Sequence, residues 1–366
     1  MRLLSRQQFN CLSLQRDNHK CLFCDDTESL DIHHIIDRSL FPNGGYYLEN
    51  ASTLCPRHHL FAEKGVLSCD QIRKKAKIDC ICLPEGYSIL NNYDKWGNIM
   101  TELIKYPRTK HLPGSSIQKG DSKKVVSFEE IKGKHIVIEE KIDGANTGIS
   151  FTPDCDLKLQ CRGHYLEGKG DWPEFDPFKS WANTWKDQLF DILSDRYIMY
   201  GEWMSGFHSI YYDLLPHWFM EFDIYDKENK IFLSTDRRKE MTDACEAVIE
   251  SVLVLESGIY NTLESVTDLV GNSHFISDDA IDALVAEMAS KGFSDSEIAL
   301  LSGLNSKPLM EGLYIKWEED GEVKGRYKYV RRNFTQTIID CEDHWANRPT
   351  IYNQIMEGRS MYDFKQ

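Results

Sequence analysis

Long apolar runs are absent from the sequence. No stretch of 18 consecutive apolar residues occurs among its 366 positions, which predicts that no helix crosses a membrane. The first twenty residues lack the apolar core of a signal peptide, so we expect a cytoplasmic protein with no membrane partner. Because the cytosol keeps thiols reduced, the 11 cysteines need an explanation other than a disulfide scaffold.

An excess of basic residues is also absent. The chain has 58 acidic and 43 basic residues, which gives a formal net charge of −15. A negative net charge gives no overall indication of a nucleic-acid partner, although a local basic groove is enough to bind nucleic acid. Residues 1–78 hold 11 basic and 9 acidic residues, a net charge of +2, which leaves −17 for the rest of the chain.

The composition changes near residue 80. Residues 1–80 are rich in Cys and His and predict a small zinc domain, and residues 81–104 have the turn-rich composition of a linker. Residues 105–335 contain strand-like segments and, after a candidate N-cap at Ser277, apolar residues at helical spacing. This pattern predicts an α+β domain with antiparallel-rich sheets, and residues 336–366 are expected to add at most a helix or two.

Two pairs of zinc-ligand residues lie in the first domain. Cys21-x2-Cys24 and Cys55-x2-His58 have the spacing of a closed tetrahedral Zn²⁺ site, whose folding energy a domain this small would need. The other cysteines are expected to be small core residues: Cys11, Cys69, Cys80, Cys82, Cys155, Cys161, Cys245 and Cys341.

Residues 15–66 resemble the HNH endonuclease family, which has a ββα-metal core. The resemblance rests on the two zinc pairs, on His33 and His34 between them, on Asn50 and on His59 directly after the second pair. It implies that His34 is the general base and that Asn50 orients the loop bearing it. By the same resemblance His33 and His59 hold a catalytic divalent cation. The family often has Asp or Glu at the position of His33, so the favoured metal stays open, and a zinc module that only binds nucleic acid is the alternative.

The larger domain carries a lysine between two strand-like segments. Lys141-x-Asp143-Gly144 follows HIVIEE and precedes TGISF, so a strand–turn–strand would hold the amine at the floor of a pocket. A lysine held there can be deprotonated by nearby cations and partial burial, and can then attack phosphorus. The short string alone is a weak signal, and its position between two strands strengthens it.

Further strings follow in the order that nucleotidyl transfer needs. They centre on Arg162, Glu202, Phe222, Glu311 with Lys316, and Arg326 with Lys328. The reaction needs an acceptor for ribose hydroxyls, an aromatic face for the base, a carboxylate for a metal, and cations on the phosphates. Each string alone has an ordinary alternative, a solvated charge or, for the phenylalanine, a core position. The complete order favours a catalytic domain.

This ordered set is similar to the covalent nucleotidyltransferase superfamily of ATP-dependent ligases and capping enzymes, and within it to RNA ligase 2 and its bacterial relatives. The resemblance covers about residues 105–335 and implies a ligase adenylation domain that uses ATP with Mg²⁺ or Mn²⁺. It gives these roles: Lys141 forms lysyl-AMP, Glu140 belongs to the nucleotide site, Arg162 contacts the phosphate end, Glu202 binds ribose, Phe222 stacks on adenine, Glu311 supports the metal, and Lys316, Arg326 and Lys328 contact phosphates. Relatives have a lysine in place of Arg326, which leaves its role less defined.

The two resemblances together imply an RNA ligase that seals 3′-OH/5′-phosphate ends in duplexed or nicked RNA, fused to an HNH-like module. Only 34 residues follow Arg332, so we expect no separate OB domain, which disfavours DNA ligation and capping. The alternatives are a nuclease in a cut-and-reseal or defence system, a DNA nick-sealing ligase, and a binding protein whose sites have decayed.

Seven basic residues near the predicted site give a further expectation: Arg108, Lys110, Lys119, Lys123, Lys124, Arg331 and Arg332. If they line one groove, nucleic-acid binding should weaken as salt is added, because phosphate contacts release counterions. A solvated face is the alternative for each of them.

Overall fold

The computed structural model describes these parts of the chain: residues 1–89, 91–99, 103–117, 123–166, 173–332, 334 and 350–365. They fall into two units, residues 1–104 and 105–366. Residues 81–104, which were predicted to be a linker, belong to the first unit, and Cys82 and Tyr93 are buried in its hydrophobic core. None of the helices in the described parts has the length and apolarity that a membrane crossing requires.

The first unit is a short antiparallel hairpin surrounded by three helices. Its elements are α1 (Arg6–Arg16), β1 (Asp31–His34), β2 (Ala51–Leu54), α2 (Pro56–Glu63) and α3 (Cys69–Ala76). Helix α1 begins with a capping box, in which Ser5 and Gln8 satisfy each other's backbone N–H groups. Helix α2 has Pro56 in its first turn, where no N–H donor is needed. Strands β1 and β2 and helix α2 follow one another along the chain, and an HNH-like ββα-metal core stays a prediction for this unit.

The second unit contains two sheets. Its elements are β3 (Lys110–His111), β4 (His135–Lys141), β5 (Ala145–Phe151), β6 (Leu157–Cys161), α4 (Asp176–Thr184), α5 (Lys186–Leu193), β7 (Tyr197–Trp203), β8 (Phe219–Asp226), β9 (Ile231–Phe232), α6 (Thr235–Asp243), β10 (Glu250–Ser251), β11 (Val254–Ile259), α7 (Leu263–Thr267), α8 (Ala280–Ser290), α9 (Asp295–Leu304), β12 (Gly312–Glu319) and β13 (Glu322–Val330). One sheet has the order β10-β8-β7-β5-β6, with β9 beside β8, and the other has the order β11-β4-β12-β13-β3.

Antiparallel pairing dominates both sheets, as the sequence predicts for an α+β domain. Among the named strand pairs, β10 with β8 and β13 with β3 are parallel and the others are antiparallel. Strand β4 belongs to one sheet and β5 to the other, so the turn between them carries the chain from sheet to sheet. Lys141 is the last residue of β4 and therefore lies at this crossing.

Alternation along the central strands places polar side chains on the face opposite the core. Ile136 and Ile138 of β4 pack in a hydrophobic cluster with Leu313 of β12. Because successive side chains of a strand point to opposite faces, Glu139 and Lys141 lie on the other face. That face bounds the cavity described below.

The segment after Ser277 differs from the expected helix start. Helix α8 has Asp279 at its N-cap, whereas the Ser277 hydroxyl donates to Asp213. The helical pattern is divided into α8 and α9, because Gly292 adopts a left-handed φ of +79° between them. Helix α9 then starts with its own capping box at Ser294.

The described part of the C-terminal extension, residues 350–365, contains no helix. It runs along the second unit through isolated bridges, of which Gly206 with Tyr352 and Leu215 with Ile355 are two. Some of its backbone N–H groups donate to neighbouring loops, as Asn353 does to the Ser205 carbonyl and Met356 to the Leu215 carbonyl, each at 2.9 Å.

The cysteines outside the two zinc pairs divide by burial. Cys69, Cys82 and Cys245 are buried, as expected, and Cys161 is half-buried. Cys11, Cys80 and Cys155 are exposed, which corrects the expectation of a core position. Cys155, for example, occupies a turn with a positive φ of 63°, away from any strand. Cys341 lies outside the described residues.

Candidate active site

The nucleophile candidate Lys141 is held by a carboxylate. Its Nζ lies 2.5 Å from Oε2 of Glu311, which immediately precedes β12. The pairing of β12 with β4 sets Gly312 opposite Lys141 and so brings the two side chains together. The predicted lysine and the predicted metal-supporting carboxylate, 170 positions apart in sequence, are thus direct neighbours.

The turn after Lys141 explains why Asp143 and Gly144 follow it. The Asp143 N–H donates to the Tyr212 hydroxyl at 2.9 Å, and its carboxylate accepts from the Ser209 N–H at 2.8 Å. A Cβ atom at Gly144 would lie 2.7 Å from the Trp203 carbonyl oxygen, too close for any larger residue. The aspartate fixes the turn and the glycine allows the two sheets to approach.

Six of the predicted nucleotide-site residues line one cavity at this crossing. They are Glu140, Lys141, Arg162, Glu202, Phe222 and Lys328. The Phe222 ring is only partly buried, and Tyr106 meets it edge to face at a centroid distance of 5.1 Å. Arg162 is exposed at the end of β6. The cavity therefore combines an aromatic face, carboxylates and cations, which is the set that binding a nucleotide requires.

Charges around Lys141 favour its protonated form. Burial acts to lower the pKa of Lys141, but the carboxylates of Glu311 and Glu202 outweigh it and raise that pKa well above its usual range. Burial raises the pKa of Glu202 to about 7, against the opposing effect of the Lys141 charge. The amine is thus an ammonium at neutral pH and must lose a proton before it can act as a nucleophile.

Glu140 has a structural contact besides its place at the cavity. Its carboxylate accepts from the Ser273 hydroxyl at 2.5 Å and from the His274 N–H at 3.2 Å. Its backbone N–H donates to the Leu253 carbonyl at 2.9 Å. These bonds fix the end of β4 from the side opposite the turn.

Two predicted phosphate contacts occupy a different place. Neither Lys316 nor Arg326 lines the cavity. Lys316 is fully buried, with Nζ 2.8 Å from Glu139 and in contact with the Phe222 carbonyl oxygen. Arg326 donates to Asp223 at 3.0 Å. A phosphate role for these two cations stays a prediction, since this arrangement pairs them with the carboxylates of Glu139 and Asp223.

A buried ion network accounts for the positions of Lys316 and Arg326. Its members are the carboxylates Glu139, Glu221 and Asp223 and the cations Lys316, Arg238 and Arg326. Arg238 of α6 bridges the two glutamates at 2.8 Å each. The three charges of each sign balance, which a buried ionic cluster needs. Glu139, Glu221, Asp223 and Arg238 were not predicted from the sequence, because they belong to three elements, β4, β8 and α6, that are far apart in the chain.

The basic residues that were expected to line one groove do not all do so among the residues that the structure describes. Arg108 and Lys110 line a second groove together with Lys134 and Lys324. Lys123, Lys124, Arg331 and Arg332 do not line it, and Lys119 lies outside the described residues. Arg331 instead donates to the Met310 carbonyl at 2.9 Å.

In the first unit the two predicted zinc pairs converge. The Nδ1 atom of His58 lies 3.2 Å from the Cys55 sulfur, 3.4 Å from that of Cys21 and 3.6 Å from that of Cys24. The sulfurs of Cys24 and Cys55 are 3.8 Å apart. Tetrahedral Zn²⁺ with ordinary bond lengths separates two sulfurs by about 3.8 Å and sulfur from nitrogen by about 3.5 Å, so the four atoms fit this ion.

Asn50 and Phe9 both lie near His34, and the roles that the HNH resemblance implies for His34 and Asn50 stay predictions. Asn50 is fully buried and bonds both backbone groups of Ile36 at 2.9 Å, so it fixes the loop after His34. Burial lowers the pKa of His34 to about 4, which keeps the imidazole neutral at pH 7. Its ring stacks on Phe9 at a centroid distance of 4.6 Å.

His33 and His59 meet a third group that the sequence analysis missed. Glu63 completes a cluster whose ligand atoms all lie within 4.8 Å of one another. Glu63 follows His59 by four positions on α2, a helical spacing that could have been recognised. Lys95 also reaches the cluster, and its ammonium contacts the Glu63 carboxylate. Sequence spacing gives no sign of that contact, because Lys95 comes from the predicted linker.

Comparison with known proteins concerns the second unit. The model of the RNA ligase family matches residues 134–330, which is 197 of the 366 residues. No curated protein matches the chain. The chain is similar to structures of Naegleria gruberi RNA ligase variants, at 16% identity over 56% of this chain and 52% of that chain with ATP and Mn (TM-score 0.35). For a second variant with ATP and Mn, the identity is 16%, the match covers 77% of this chain and 72% of that chain, and the TM-score is 0.39.

The family match and these structures differ in extent. The chain spans about half the length of the first of these Naegleria structures. The family match, in contrast, starts just before β4 and ends with β13, so it includes the lysine turn, the ion network and all of the cavity lining except Tyr106, Pro107 and Thr109. Because it covers more than half of the sequence, the chain belongs to the RNA ligase family.

Proposed function

We propose that this chain is an ATP-dependent RNA ligase that joins 3′-OH and 5′-phosphate ends through a lysyl-AMP intermediate. The observation that carries the proposal is Lys141 at the wall of a cavity that also presents Glu202, Phe222 and Lys328. These side chains supply a nucleophile, a ribose acceptor, a base-stacking face and a phosphate cation. Membership of the RNA ligase family supports the same conclusion.

The first step joins AMP to the enzyme. Lys141 gives a proton to the neighbouring Glu311, and its nitrogen pair attacks the α-phosphorus of ATP. A nitrogen–phosphorus bond forms while the bond from that phosphorus to the pyrophosphate oxygen breaks, and pyrophosphate leaves with its electron pair. Phe222 stacks on the base, and Lys328 offsets negative charge on the phosphate.

Two further transfers complete the reaction. An oxygen of the RNA 5′-phosphate attacks the AMP phosphorus, and the bond to Lys141 breaks as its nitrogen regains a proton. The 3′-hydroxyl then attacks the activated 5′-phosphate, so a phosphodiester bond forms and AMP leaves. Arg162 lines the cavity and is exposed, and we assign it the contact with the incoming phosphate.

The carboxylates of the site fit a divalent cation. Glu202 and Glu311 offer the oxygen ligands that Mg²⁺ and Mn²⁺ prefer, and Glu311 is largely buried beside Lys141. When bound, such an ion supplies positive charge against the phosphates of ATP. The residues of the chain hold the nucleotide, orient the amine and receive its proton.

The finer substrate assignment is an RNA nick or duplexed RNA end, as for RNA ligase 2 and its relatives. It rests on the motif order from Lys141 to Lys328 and on family membership. A DNA nick-sealing activity is the competing assignment. Sealing assays on matched nicked duplexes with RNA or DNA strands distinguish the two.

The test of the central proposal is covalent labelling. Purified protein is incubated with α-labelled ATP and Mg²⁺ or Mn²⁺ beside Lys141→Ala and Lys324→Ala, an exposed lysine of β13. We expect label on the denatured wild type and on Lys324→Ala, and none on Lys141→Ala. A folded wild type that takes no label would refute the ligase mechanism.

The first unit is proposed to be a zinc module that binds nucleic acid for the ligase. The convergence of Cys21, Cys24, Cys55 and His58 at tetrahedral separations supports the zinc assignment. A chain lacking residues 1–104 should still form lysyl-AMP but seal nicks more slowly. Sealing at the full rate would remove the binding role.

A second candidate for the first unit is a nuclease that cuts before the ligase reseals. The half-buried, neutral His34 beside the loop fixed by Asn50 favours it. The nuclease assay compares wild type with His34→Ala on RNA and DNA over several divalent metals. Cleavage that disappears in His34→Ala would establish this candidate, and no cleavage under any metal would leave the binding module.

A further inference from the structure

We propose that the ammonium of Lys95 occupies the cation position of the His33–His59–Glu63 cluster and thereby prevents a divalent metal ion from binding there. By this proposal the first unit loads no metal ion there while the ammonium is in place. The inference concerns a site in the first unit and does not depend on ligase activity at Lys141.

A single oxygen atom is the centre of the cluster. Oε1 of Glu63 lies 3.1 Å from Nε2 of His59 and 3.7 Å from Nδ1 of His33. The ammonium of Lys95 contacts this same oxygen. A metal ion bound by both imidazoles and the carboxylate would need Oε1 at a bond length of about 2.0–2.2 Å. The ammonium therefore holds the ligand atom that the metal would use.

Two carboxylates hold the Lys95 side chain at the cluster. Its Nζ faces two carboxylates, with Oδ2 of Asp37 at 3.7 Å in addition to Glu63. Both of these acids are thus partly neutralised without a metal. A divalent cation at the cluster would have to approach a positive charge in a half-buried setting, where screening by solvent is weak.

The backbone around Lys95 fixes the side chain at the cluster. The Lys95 carbonyl accepts from the Asp37 N–H at 2.8 Å, which ties it to the loop after β1. The neighbouring Trp96 donates from its indole nitrogen to the Glu63 carbonyl at 2.8 Å, which ties it to the end of α2. The lysine side chain is only 11% exposed. It is therefore held between the two elements that supply the cluster.

The rest of the ligand set is intact. His33 is 1% exposed, and within the described residues neither of its ring nitrogens has a hydrogen-bond partner. Burying an unpaired imidazole is costly, so the ring is positioned for a polar ligand that Lys95 does not replace. Two imidazoles and one carboxylate suit Mn²⁺, Co²⁺ or Zn²⁺. Removal of the ammonium should therefore open the site.

The test measures Mn²⁺ binding to the full-length, zinc-loaded protein by the loss of free-ion electron paramagnetic resonance signal, without ATP. The key variant is Lys95→Met, which keeps the length of the side chain and removes its charge. Lys64→Met, an exposed lysine just after α2, is the matched control. Lys95→Met combined with His59→Ala assigns any new binding to the cluster. If Lys95→Met loses its zinc or its fold, Lys95→Gln is used instead.

We expect Lys95→Met to gain one site that binds Mn²⁺ at least about tenfold more tightly than wild type, and the added His59→Ala to abolish it. Lys64→Met and Lys95→Arg, which retains the charge, should behave as wild type. A wild-type site that depends on His59 and matches Lys95→Met in affinity would overturn the proposal. A folded Lys95→Met without the new site would overturn it as well. Labelling of Lys141 in the same samples reports separately on the ligase function.

Discussion

The Nζ atom of Lys316 lies 2.8 Å from the Glu139 carboxylate, and both side chains are completely shielded from solvent. The same ammonium contacts Asp223 at 3.4 Å and the carbonyl oxygen of Phe222, the residue expected to stack on adenine. Lys316, to which the family resemblance assigns a phosphate contact, thus links the two sheets next to Phe222.

This position predicts a stability defect for Lys316→Met. The variant leaves Glu139 and Asp223 with one cation fewer in a buried site, which should cost about 3–5 kcal/mol in the free energy of unfolding. Urea unfolding followed by tryptophan fluorescence measures the change, with the exposed Lys324→Met as control. A variant as stable as wild type that fails only in lysyl-AMP formation would instead support the phosphate contact.

The raised pKa of Glu202 predicts a pH-dependent stability. Its pKa is about 7 in the folded protein and near 4.5 in an unfolded chain, so between these values the folded state holds a proton that the unfolded state has released. This contribution to stability is present at low pH and is lost as pH rises through 7. Glu202→Gln removes it, and relative to wild type the variant should gain about 1–3 kcal/mol between pH 5 and pH 8.

Unfolding midpoints in urea at the two pH values test this prediction. Glu357→Gln, an exposed carboxylate of the C-terminal segment, is the control and should follow wild type at both. Equal effects of Glu202→Gln at pH 5 and pH 8 would contradict the shifted pKa.

The Tyr212 hydroxyl is predicted to position the nucleophile. Tyr212→Phe leaves the buried Asp143 N–H without its acceptor, which costs about 1–3 kcal/mol and loosens the turn after Lys141. We expect lysyl-AMP formation in single-turnover assays to slow by about tenfold. Tyr211→Phe, in an equally buried neighbour, leaves that bond in place and should have no such effect. Equal rates for both variants would rule out the positioning role.

Metal analysis should find one zinc ion per chain in the first unit. Cys24→Ser removes a thiolate from the set and should lower the bound zinc and unfold residues 1–104, because the site contributes directly to folding. The exposed Cys80→Ser in the same unit should retain the metal. Elemental analysis after gel filtration gives the zinc content, and a full complement of zinc in Cys24→Ser would exclude this ligand.

The parts of the fold that follow from local patterns were predictable. The strands on either side of the Lys141 turn follow from apolar alternation, and the antiparallel α+β class follows from the strand-rich composition. The lysine–carboxylate pair was also accessible, since both residues lie in ordered motifs. Helix α9 was hidden in a continuous helical pattern because a single glycine conformation separates it from α8.

Contacts between distant segments could not be predicted. The partners of Lys316 come from β4 and β8, and Arg238 joins them from a helix of strongly polar sequence. Charged residues on strands usually face solvent, so the sequence predicts exposure where pairing between elements permits burial. Lys95 is the same case in the first unit, because only the fold brings the predicted linker to Glu63.

The C-terminal segment has a consequence for synthesis of the protein. Asn353 accepts a bond from the Tyr212 N–H and donates to the Met204 carbonyl, and Tyr212 in turn holds the turn beside Lys141. Asn353 must therefore have left the ribosome before the turn beside Lys141 can be fully ordered. Among the described residues, the hydrophobic core of the first unit is built from residues 21–93, so this unit can fold while the second unit is still being translated. We expect nascent chains that stop before residue 350 to carry a folded first unit and an adenylation site that is not yet active.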